Sequence, residues 1–136
     1  MRLLLFYARE FWFKTHAKVL ADAPDDFREG QVQDVVVAFL HADPRDELDA
    51  GGVETKLVKN VKWLAGKFES RAAALHYFSH LGSEMAPAEL ARQIVEGARA
   101  RLLAAGFRVE VTPFGHFCEW RLAVAGESLA KVFKEF

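Results

Sequence analysis

The chain has 136 residues, about half of them hydrophobic, and a formal net charge of −1 at pH 7. This length fits one domain, residues 1–136, and the near-neutral charge excludes a strong overall basic field, so an RNA partner would contact a local patch. The single cysteine, Cys118, excludes an internal disulfide and is typical of a reducing cytosol. No apolar run is long enough to span a membrane, so we expect a cytoplasmic protein without membrane contact.

Two short strands begin the predicted fold. Leu3–Tyr7 is an apolar run bounded by charge, and Phe11–Thr15 is aromatic, so we expect the second strand to pair with the first. The acidic stretch Asp22–Gln33 contains a proline and a glycine, which indicates a loop. Asp34–His41 has a continuous β-branched run, which is typical of a strand buried on both faces.

Two helical patterns follow, separated by a strand. Apolar residues recur at helical spacing through Val53–Phe68, and Ala72–Phe78 is the next predicted strand. Pro87–Ala105 is the second predicted helix, because proline suits a first turn and Gly106 suits the position after a last turn. The first helix carries lysines at Lys56, Lys59, Lys62 and Lys67. They predict a solvated face or, alternatively, a face that steers phosphates.

The C-terminal part is predicted to consist mainly of strands. A strand begins in Phe107–Phe114, Gly115 breaks it, and Phe117–Val124 resumes it. The tail Ser128–Phe136 fits either a helical stripe or a closing strand. If each strand–helix–strand crossover is right-handed, both helices lie on one face of a sheet with mixed strand directions. The pattern therefore predicts a layered α/β domain.

The stretch Ala74–Met85 is the strongest candidate for a site. A predicted strand ends at Tyr77 and meets a polar turn that contains Ser79 and His80, just before the second helix. Ligands in α/β proteins bind where a strand ends and a helix begins, and the proton affinity of histidine lies near physiological pH. The alternative is that this turn only caps the helix.

Metal and nucleophile chemistry are less well supported by the sequence. The histidines are His16, His41, His76, His80 and His116. No pair has a helical zinc spacing, so we expect neither a metal nor another cofactor. His116 and Cys118 would point to the same face of a regular strand, which permits a Cys–His pair, although a lone cysteine is more often a small core residue.

Several segments resemble the archaeal threonyl-tRNA synthetase editing domain. The residues are F-S-H-L-G-S-E at Phe78–Glu84, P-F-G at Pro113–Gly115, the opening M-R-L-L-L-F, the strand V-V-V-A-F-L, and G-F-R-V-E-V-T before P-F-G. They follow the family's order and spacing across essentially the whole chain. The resemblance implies a D-aminoacyl-tRNA deacylase-like α/β fold: a layered mixed β-sheet with two helices, in the order ββ-(βα)2-βββ, with the tail as a last strand.

The resemblance also implies an activity and a site. The family hydrolyses mischarged tRNA, removing serine from the 3′ end of threonine tRNA, with few side chains and no cofactor. His80 matches the pocket histidine. The predicted substrate-binding residues are Ala38, Phe39, Leu40, Tyr77, Ser79, Phe114, Gly115 and Phe117. The implied partners are aminoacylated tRNA and, for a stand-alone appendage, a threonyl-tRNA synthetase catalytic subunit.

Two positions depart from the family pattern. Cys118 stands where the family usually has a lysine, and Lys131 stands where it usually has an acid. One expectation is that a turn at Ala125-Gly126 folds the tail beside Phe117–Val124, so that Lys131 enters the pocket. The catalytic candidates are then His80, Lys131 and Cys118. The alternatives are a different substrate, or a catalytically silent tRNA-binding or dimerisation module.

The resemblance further implies a homodimer. The aromatic residues Phe11, Trp12 and Phe13 exceed what one small core needs, which favours an isologous apolar interface. Methionine at position 1 and closure of the predicted fold by position 136 favour a separate protein, although a domain cut from a longer synthetase stays open.

Overall fold

The computed structural model describes all 136 residues as a mixed sheet with two helices. The strands are β1 (Arg2–Lys18), β2 (Glu29–His41), β3 (Ala72–Tyr77), β4 (Arg108–Val111), β5 (His116–Val124) and β6 (Lys131–Glu135), and the helices are α1 (Ala50–Lys67) and α2 (Ala88–Ala104). The sheet order is β4-β3-β2-β1-β5, and β6 also pairs with β1. The layered α/β class predicted from the sequence is confirmed, as are both helices.

The two opening strands predicted from the sequence are one continuous strand. β1 runs through Arg2–Lys18 without a turn and pairs along its length with β2. The pairing skips Arg9, opposite Asp34, whose φ is +49°. An irregularity of this kind bends a strand and increases its twist without ending it. The strand order is therefore β-(βα)2-βββ.

The tail is a strand, as the resemblance implies, but it does not lie beside β5. β6 pairs antiparallel with Arg2–Phe6, whereas β5 pairs antiparallel with Ala8–Lys18. The two strands therefore follow one another along the same edge of β1, separated by the segment 125–130. The edge of β1 that does not pair with β2 is long enough for both strands, so β6 pairs with β1 and not with β5.

Both helices cover one face of the sheet. Leu57, Val61 and Leu64 of α1 share a single buried cluster with Ile94 and Leu102 of α2 and with the strand side chains beneath them. The expected one-sided arrangement of the helices is confirmed, because apolar faces of both helices pack on the same surface. Neither helix is long and apolar enough to cross a membrane.

The other face of the sheet has a smaller core of its own. Phe11 and Phe13 are fully buried there, so they are not surplus aromatics available to a second copy of the chain. Trp12 donates from Nε1 to Glu29 and lies under the Arg121 guanidinium. Nothing about these three residues therefore requires a dimer.

The sheet curls around this smaller core. Arg28, just before the long pairing of β2 with β1, donates from Nη1 to Glu110 of β4 at 2.6 Å. The Trp120 ring of β5 lies 5.3 Å from the ring of Phe39 in β2, although the two strands are separated by β1. The curl brings the end of β3 and the beginning of β5 to opposite sides of one cavity.

The chain ends meet at a buried ion cluster. The Met1 ammonium donates to Asp43 at 2.9 Å, to Asp46 at 2.8 Å and to the Phe136 carbonyl at 2.7 Å. Arg2 also pairs with Asp43. Because the ammonium has no solvent exposure, its two carboxylate partners are needed to offset its desolvation.

Candidate functional site

A cavity of about 390 Å³ lies where β3 ends and β5 begins. The residues predicted from the sequence that line it are Tyr77, Ser79, His80, Phe114, Gly115, Phe117 and Cys118. They come from two segments that are distant in the chain and that the curled sheet brings together. Val19 and Leu20, which follow β1, complete one wall.

Gly115 allows this wall to close. Its φ is +77°, and a Cβ atom there would lie 2.9 Å from the Cβ of Ala23. The Gly115 carbonyl accepts hydrogen bonds from the amides of Val19 at 2.8 Å and Leu20 at 3.0 Å. The glycine of the P-F-G segment therefore permits both a left-handed backbone and the close approach of the segment after β1.

His116 acts as a structural link between the same two segments. Its Nδ1 lies 3.0 Å from the Phe114 carbonyl, and its Nε2 accepts a hydrogen bond from the Asp26 amide at 3.2 Å. Both ring nitrogens are therefore occupied by main chain, and no hydrogen bond joins His116 to Cys118. The Cys–His pair that the strand spacing permits is not formed.

Cys118 is poorly suited to be a nucleophile. Burial raises the pKa of its thiol; the nearby Arg28 guanidinium acts in the opposite direction, and Asp26 raises it again. Because the thiolate is the reactive form, a half-buried thiol with a raised pKa is largely unreactive near neutral pH.

His76 lines the cavity, and the sequence-based choice of site residues missed it. Its side chain is buried, which lowers its pKa to about 4. Nδ1 lies 2.8 Å from the Thr112 hydroxyl oxygen, which leaves Nε2 as the nitrogen available to the cavity. The available signal was its position two residues before Phe78 on a strand, because alternation puts both side chains on one face.

His80 and Trp120 lie at the mouth of the cavity. The His80 ring lies edge-on at 5.0 Å from the Phe78 ring, and the side chain is exposed. Trp120, which the sequence-based choice also missed, is 41% exposed and contacts the ring of Phe39.

Of the predicted residues Ala38–Leu40, Phe39 has a side chain that contacts residues lining the cavity. The Phe39 ring lies 5.0 Å from the His76 ring and 5.5 Å from the Phe78 ring, beneath the cavity wall. Ala38 and Leu40 belong to the core under the helices, since alternate strand residues point to opposite faces. The structure therefore does not bring these two side chains to the cavity.

Lys131 does not enter the cavity. Its ammonium donates to the carbonyls of Ala125 at 2.9 Å and of Gly126 and Glu127 at 3.3 Å. Lys131 is opposite Phe6 on β1, whereas Cys118 is opposite Thr15, nine residues further along that strand. At about 3.3 Å per strand residue, the two positions lie about 30 Å apart along β1. The structure therefore does not bring Lys131 to the position of the missing pocket lysine.

No three histidine, cysteine, aspartate or glutamate side chains of the chain are grouped so that they could hold a metal ion.

Comparison with known proteins identifies the relatives of this chain. Residues 1–136 match the family described as the archaea-specific editing domain of threonyl-tRNA synthetase. Threonine–tRNA ligase of Thermococcus onnurineus is 25% identical over 135 residues, covering 97% of this chain and 22% of that protein. The ligase of Methanopyrus kandleri is 26% identical over 133 residues, covering 97% and 21%. The chain spans about a fifth of the length of these relatives.

The fold is similar to that of a solved structure with little sequence similarity. The c-Myc DNA unwinding element binding protein matches with a TM-score of 0.68 and 8% identity, covering 100% of this chain and 99% of that one. The predicted D-aminoacyl-tRNA deacylase-like class is thereby confirmed for the fold. The family match extends over the whole chain and supports a role in tRNA editing in general. The chain belongs to the archaea-specific editing domain family of threonyl-tRNA synthetase.

Proposed function

We propose that this chain hydrolyses the ester bond between a wrongly attached amino acid and the 3′ end of a tRNA, with serine on threonine tRNA as the first candidate substrate. The observation that carries the proposal is the cavity itself. It joins the turn at Ser79-His80 to the P-F-G turn at Pro113–Gly115, the two segments by which the sequence resembles the editing family.

The hydrolysis requires a positioned water molecule, a group that accepts a hydrogen bond from it, and stabilisation of the developing oxyanion. Water attacks the ester carbonyl carbon and the bond to the ribose oxygen breaks. The proton that the water loses is transferred to that oxygen, which releases the amino acid and an unacylated tRNA. His76 is placed to accept a hydrogen bond from the attacking water through Nε2, because Nδ1 faces Thr112. Its low pKa keeps the imidazole neutral, so it orients water rather than removing a proton completely.

His80 is proposed to bind the substrate at the mouth of the cavity. Its exposed imidazole lies against Phe78, so it can contact the ribose or the acyl group by hydrogen bonding. Main-chain amides of the two turns are the proposed donors to the oxyanion. Burial raises the pKa of the Cys118 thiol, so the thiol is protonated at neutral pH and is a poor nucleophile. Direct attack by water, without a covalent acyl intermediate, agrees with this.

The exposed face of α1 is the proposed contact for the tRNA backbone. Lys56, Lys59, Lys62 and Lys67 are all exposed on it. Lys134 of β6 lies over the Trp63 ring of the same helix at 5.5 Å. No carboxylate lies within 4.0 Å of any of these amines. Unpaired lysines of this kind can replace counterions on RNA phosphates.

Salt dependence of tRNA binding tests this face of α1. The Lys59→Gln/Lys62→Gln variant should flatten the slope of log affinity against log salt by about one unit for each phosphate that a lysine no longer neutralises. The matched control is Arg99→Gln/Arg108→Gln, which removes two exposed charges from α2 and β4. Equal slopes for the two variants would exclude the α1 face.

We also propose a cytoplasmic homodimer that cooperates with a threonyl-tRNA synthetase catalytic subunit, as the family resemblance implies. Side chains available for such contacts include the exposed Leu129 and Phe133 near β6, since Phe11 and Phe13 are buried. Sedimentation at micromolar concentration should show a dimer, and a monomer alone would contradict it.

A specific observation supports a second candidate function. The cavity has no lysine at the family position and receives none from Lys131. A catalytically silent tRNA-binding module is therefore the alternative. Deacylation assays with seryl-, threonyl- and D-aminoacyl-tRNAs distinguish the two: hydrolysis of any of them above the uncatalysed rate supports the enzyme, and tRNA binding without hydrolysis supports the module.

A further inference from the structure

The side chains that line the cavity are either non-ionisable or those of histidine, tyrosine and cysteine. Aromatic and aliphatic groups predominate, and the polar lining groups are hydroxyls, a thiol, three imidazoles and the indole of Trp120. No aspartate, glutamate, lysine or arginine side chain is among them. The family resemblance leads one to expect charged groups here, so this lining is a property of this particular chain.

Burial favours the uncharged form of three lining side chains that can ionise. Burial lowers the pKa of His76 to about 4 and raises the pKa of both the Tyr77 phenol and the Cys118 thiol. His116 uses both ring nitrogens on main chain, and His80 is exposed at the mouth. The lining of the cavity therefore contains no permanently charged side chain.

Three charged side chains behind the wall, those of Arg28, Asp26 and Glu110, pair with one another. Arg28 pairs with Asp26 at 3.1 Å and with Glu110 at 2.6 Å, and it also donates to the Val111 carbonyl. The Arg28 guanidinium therefore already has carboxylate and main-chain partners. A charged ligand group inside the cavity would therefore be desolvated without a side chain of opposite charge in the lining, which disfavours its binding relative to that of an uncharged group.

An aminoacyl ester carries an α-amine that is positively charged at acidic pH, and the α-amino group of a peptide has an ordinary pKa of about 7.7–8.0. We propose that this site binds the aminoacyl group with its α-amine uncharged, either as the free base or as an N-acylated amine. This inference rests on the proposed function and names the substrate class of the same site. Met85 and Phe117, 59% and 58% exposed at the mouth, offer apolar contacts to an N-acyl group.

Two stable analogues test the proposal by binding alone. One is 3′-deoxyadenosine with serine attached through a 3′-amide, and the other is the same compound with an N-acetyl group. We expect the dissociation constant of the free-amine analogue to fall at least about tenfold from about pH 6 to about pH 9, because the neutral fraction of the amine rises over that range. The N-acetyl analogue should show no comparable change, and it reports any effect of the protein's own histidines.

A new carboxylate in the wall should reverse the preference. Ser79→Asp should bind the free-amine analogue at about pH 6 at least about tenfold more tightly than the wild type does. Ser83→Asp adds the same charge to the same loop outside the cavity and should have little effect. The comparison requires that both variants show the wild-type unfolding temperature within a few degrees.

The proposal is overturned if the wild type binds the free-amine analogue at about pH 6 as tightly as the N-acetyl analogue. It is also overturned if neither analogue binds at millimolar concentration. Because binding is measured without turnover, a failure of tRNA hydrolysis with intact pH-dependent binding counts against the proposed enzyme and not against the substrate class.

Discussion

Among the side chains that line the cavity, His76 has surroundings that differ strongly from those of an imidazole free in water. It is 7% exposed, its Nδ1 faces Thr112, and its ring is packed between Phe39 and Phe78. These contacts hold the imidazole in one orientation. A neutral, oriented imidazole can position water over a wide pH range, because it does not titrate near neutrality.

Replacing His76 should therefore lower the rate of deacylation more than it affects binding. We expect His76→Asn, which retains a polar atom near Thr112, to lower kcat by about a hundredfold with little change in KM. Steady-state kinetics on the aminoacyl-tRNA found active in the deacylation panel measure this. In the wild type, the low pKa of His76 predicts no inflection from this group between about pH 5 and pH 9. An unchanged kcat for the variant would remove His76 from the mechanism.

Lys131 and Cys118 are expected to be dispensable for catalysis. The Lys131 ammonium donates to main-chain carbonyls of the segment 125–127, and Lys131 pairs with a part of β1 that is far from the cavity. The Cys118 thiol stays protonated at neutral pH. Lys131→Ala and Cys118→Ala should each retain deacylation within about threefold of the wild type. A loss of about a hundredfold in Lys131→Ala, the size expected for a preorganised donor, would restore the idea that this lysine completes the site.

At the scale of elements, the turn between β4 and β5 decides the shape of the cavity. It is held to the segment after β1 by the Gly115 carbonyl and by Nε2 of His116, while Nδ1 of His116 lies against the Phe114 carbonyl within the turn itself. The wall is therefore built from connections between strands rather than from the strands themselves. The shape of the cavity therefore depends on the backbone conformation of Gly115.

A side chain at Gly115 should disturb this wall. Gly115→Ala places a Cβ at a φ of +77° and 2.9 Å from the Cβ of Ala23. We expect a loss of about 2 kcal/mol in the free energy of unfolding, measured by urea denaturation. Gly126→Ala is the matched control, because a Cβ there meets nothing within 4 Å and its φ is not positive. Equal stability of the two variants would contradict the close packing at Gly115.

At the scale of the whole molecule, the buried cluster at the chain ends couples both ends of the chain to the turn after β2. Burial acts to raise the pKa of Asp43, but the hydrogen bond and charge of the Met1 ammonium, together with Arg2, lower it below its usual value of 3.8. A lowered carboxyl pKa stabilises the folded state above the usual value, and this contribution is lost as pH falls through the folded-state pKa.

The stability of Asp43→Asn should therefore depend on pH differently from that of the wild type. At neutral pH we expect the variant to be about 3 kcal/mol less stable, because the Met1 ammonium loses one buried partner. The difference should shrink as the pH falls below 3.8 and through the lowered folded-state pKa of Asp43, because the wild-type carboxyl then also becomes neutral. Denaturant unfolding at several pH values measures it. Glu47→Gln, an exposed carboxylate on the same turn, should show no comparable difference.

The local pattern of the sequence determined most of the elements and much of the site. Periodicity and capping residues identified both helices, because a helix buries one face at a spacing that is visible in the sequence. The turn at Ser79-His80 and the P-F-G segment were recognisable as short motifs, and both line the cavity.

Only the tertiary structure decided which distant residues meet. Arg9 bends β1 instead of ending it, and the tail continues along the edge that β5 occupies, so Lys131 lies far from Cys118. Strand pairing depends on which edge is free after the other strands have packed, and no local pattern encodes that. The position of His76 beneath the cavity and the absence of charge from its walls follow from the same curl of the sheet, since burial is a property of the whole packed chain.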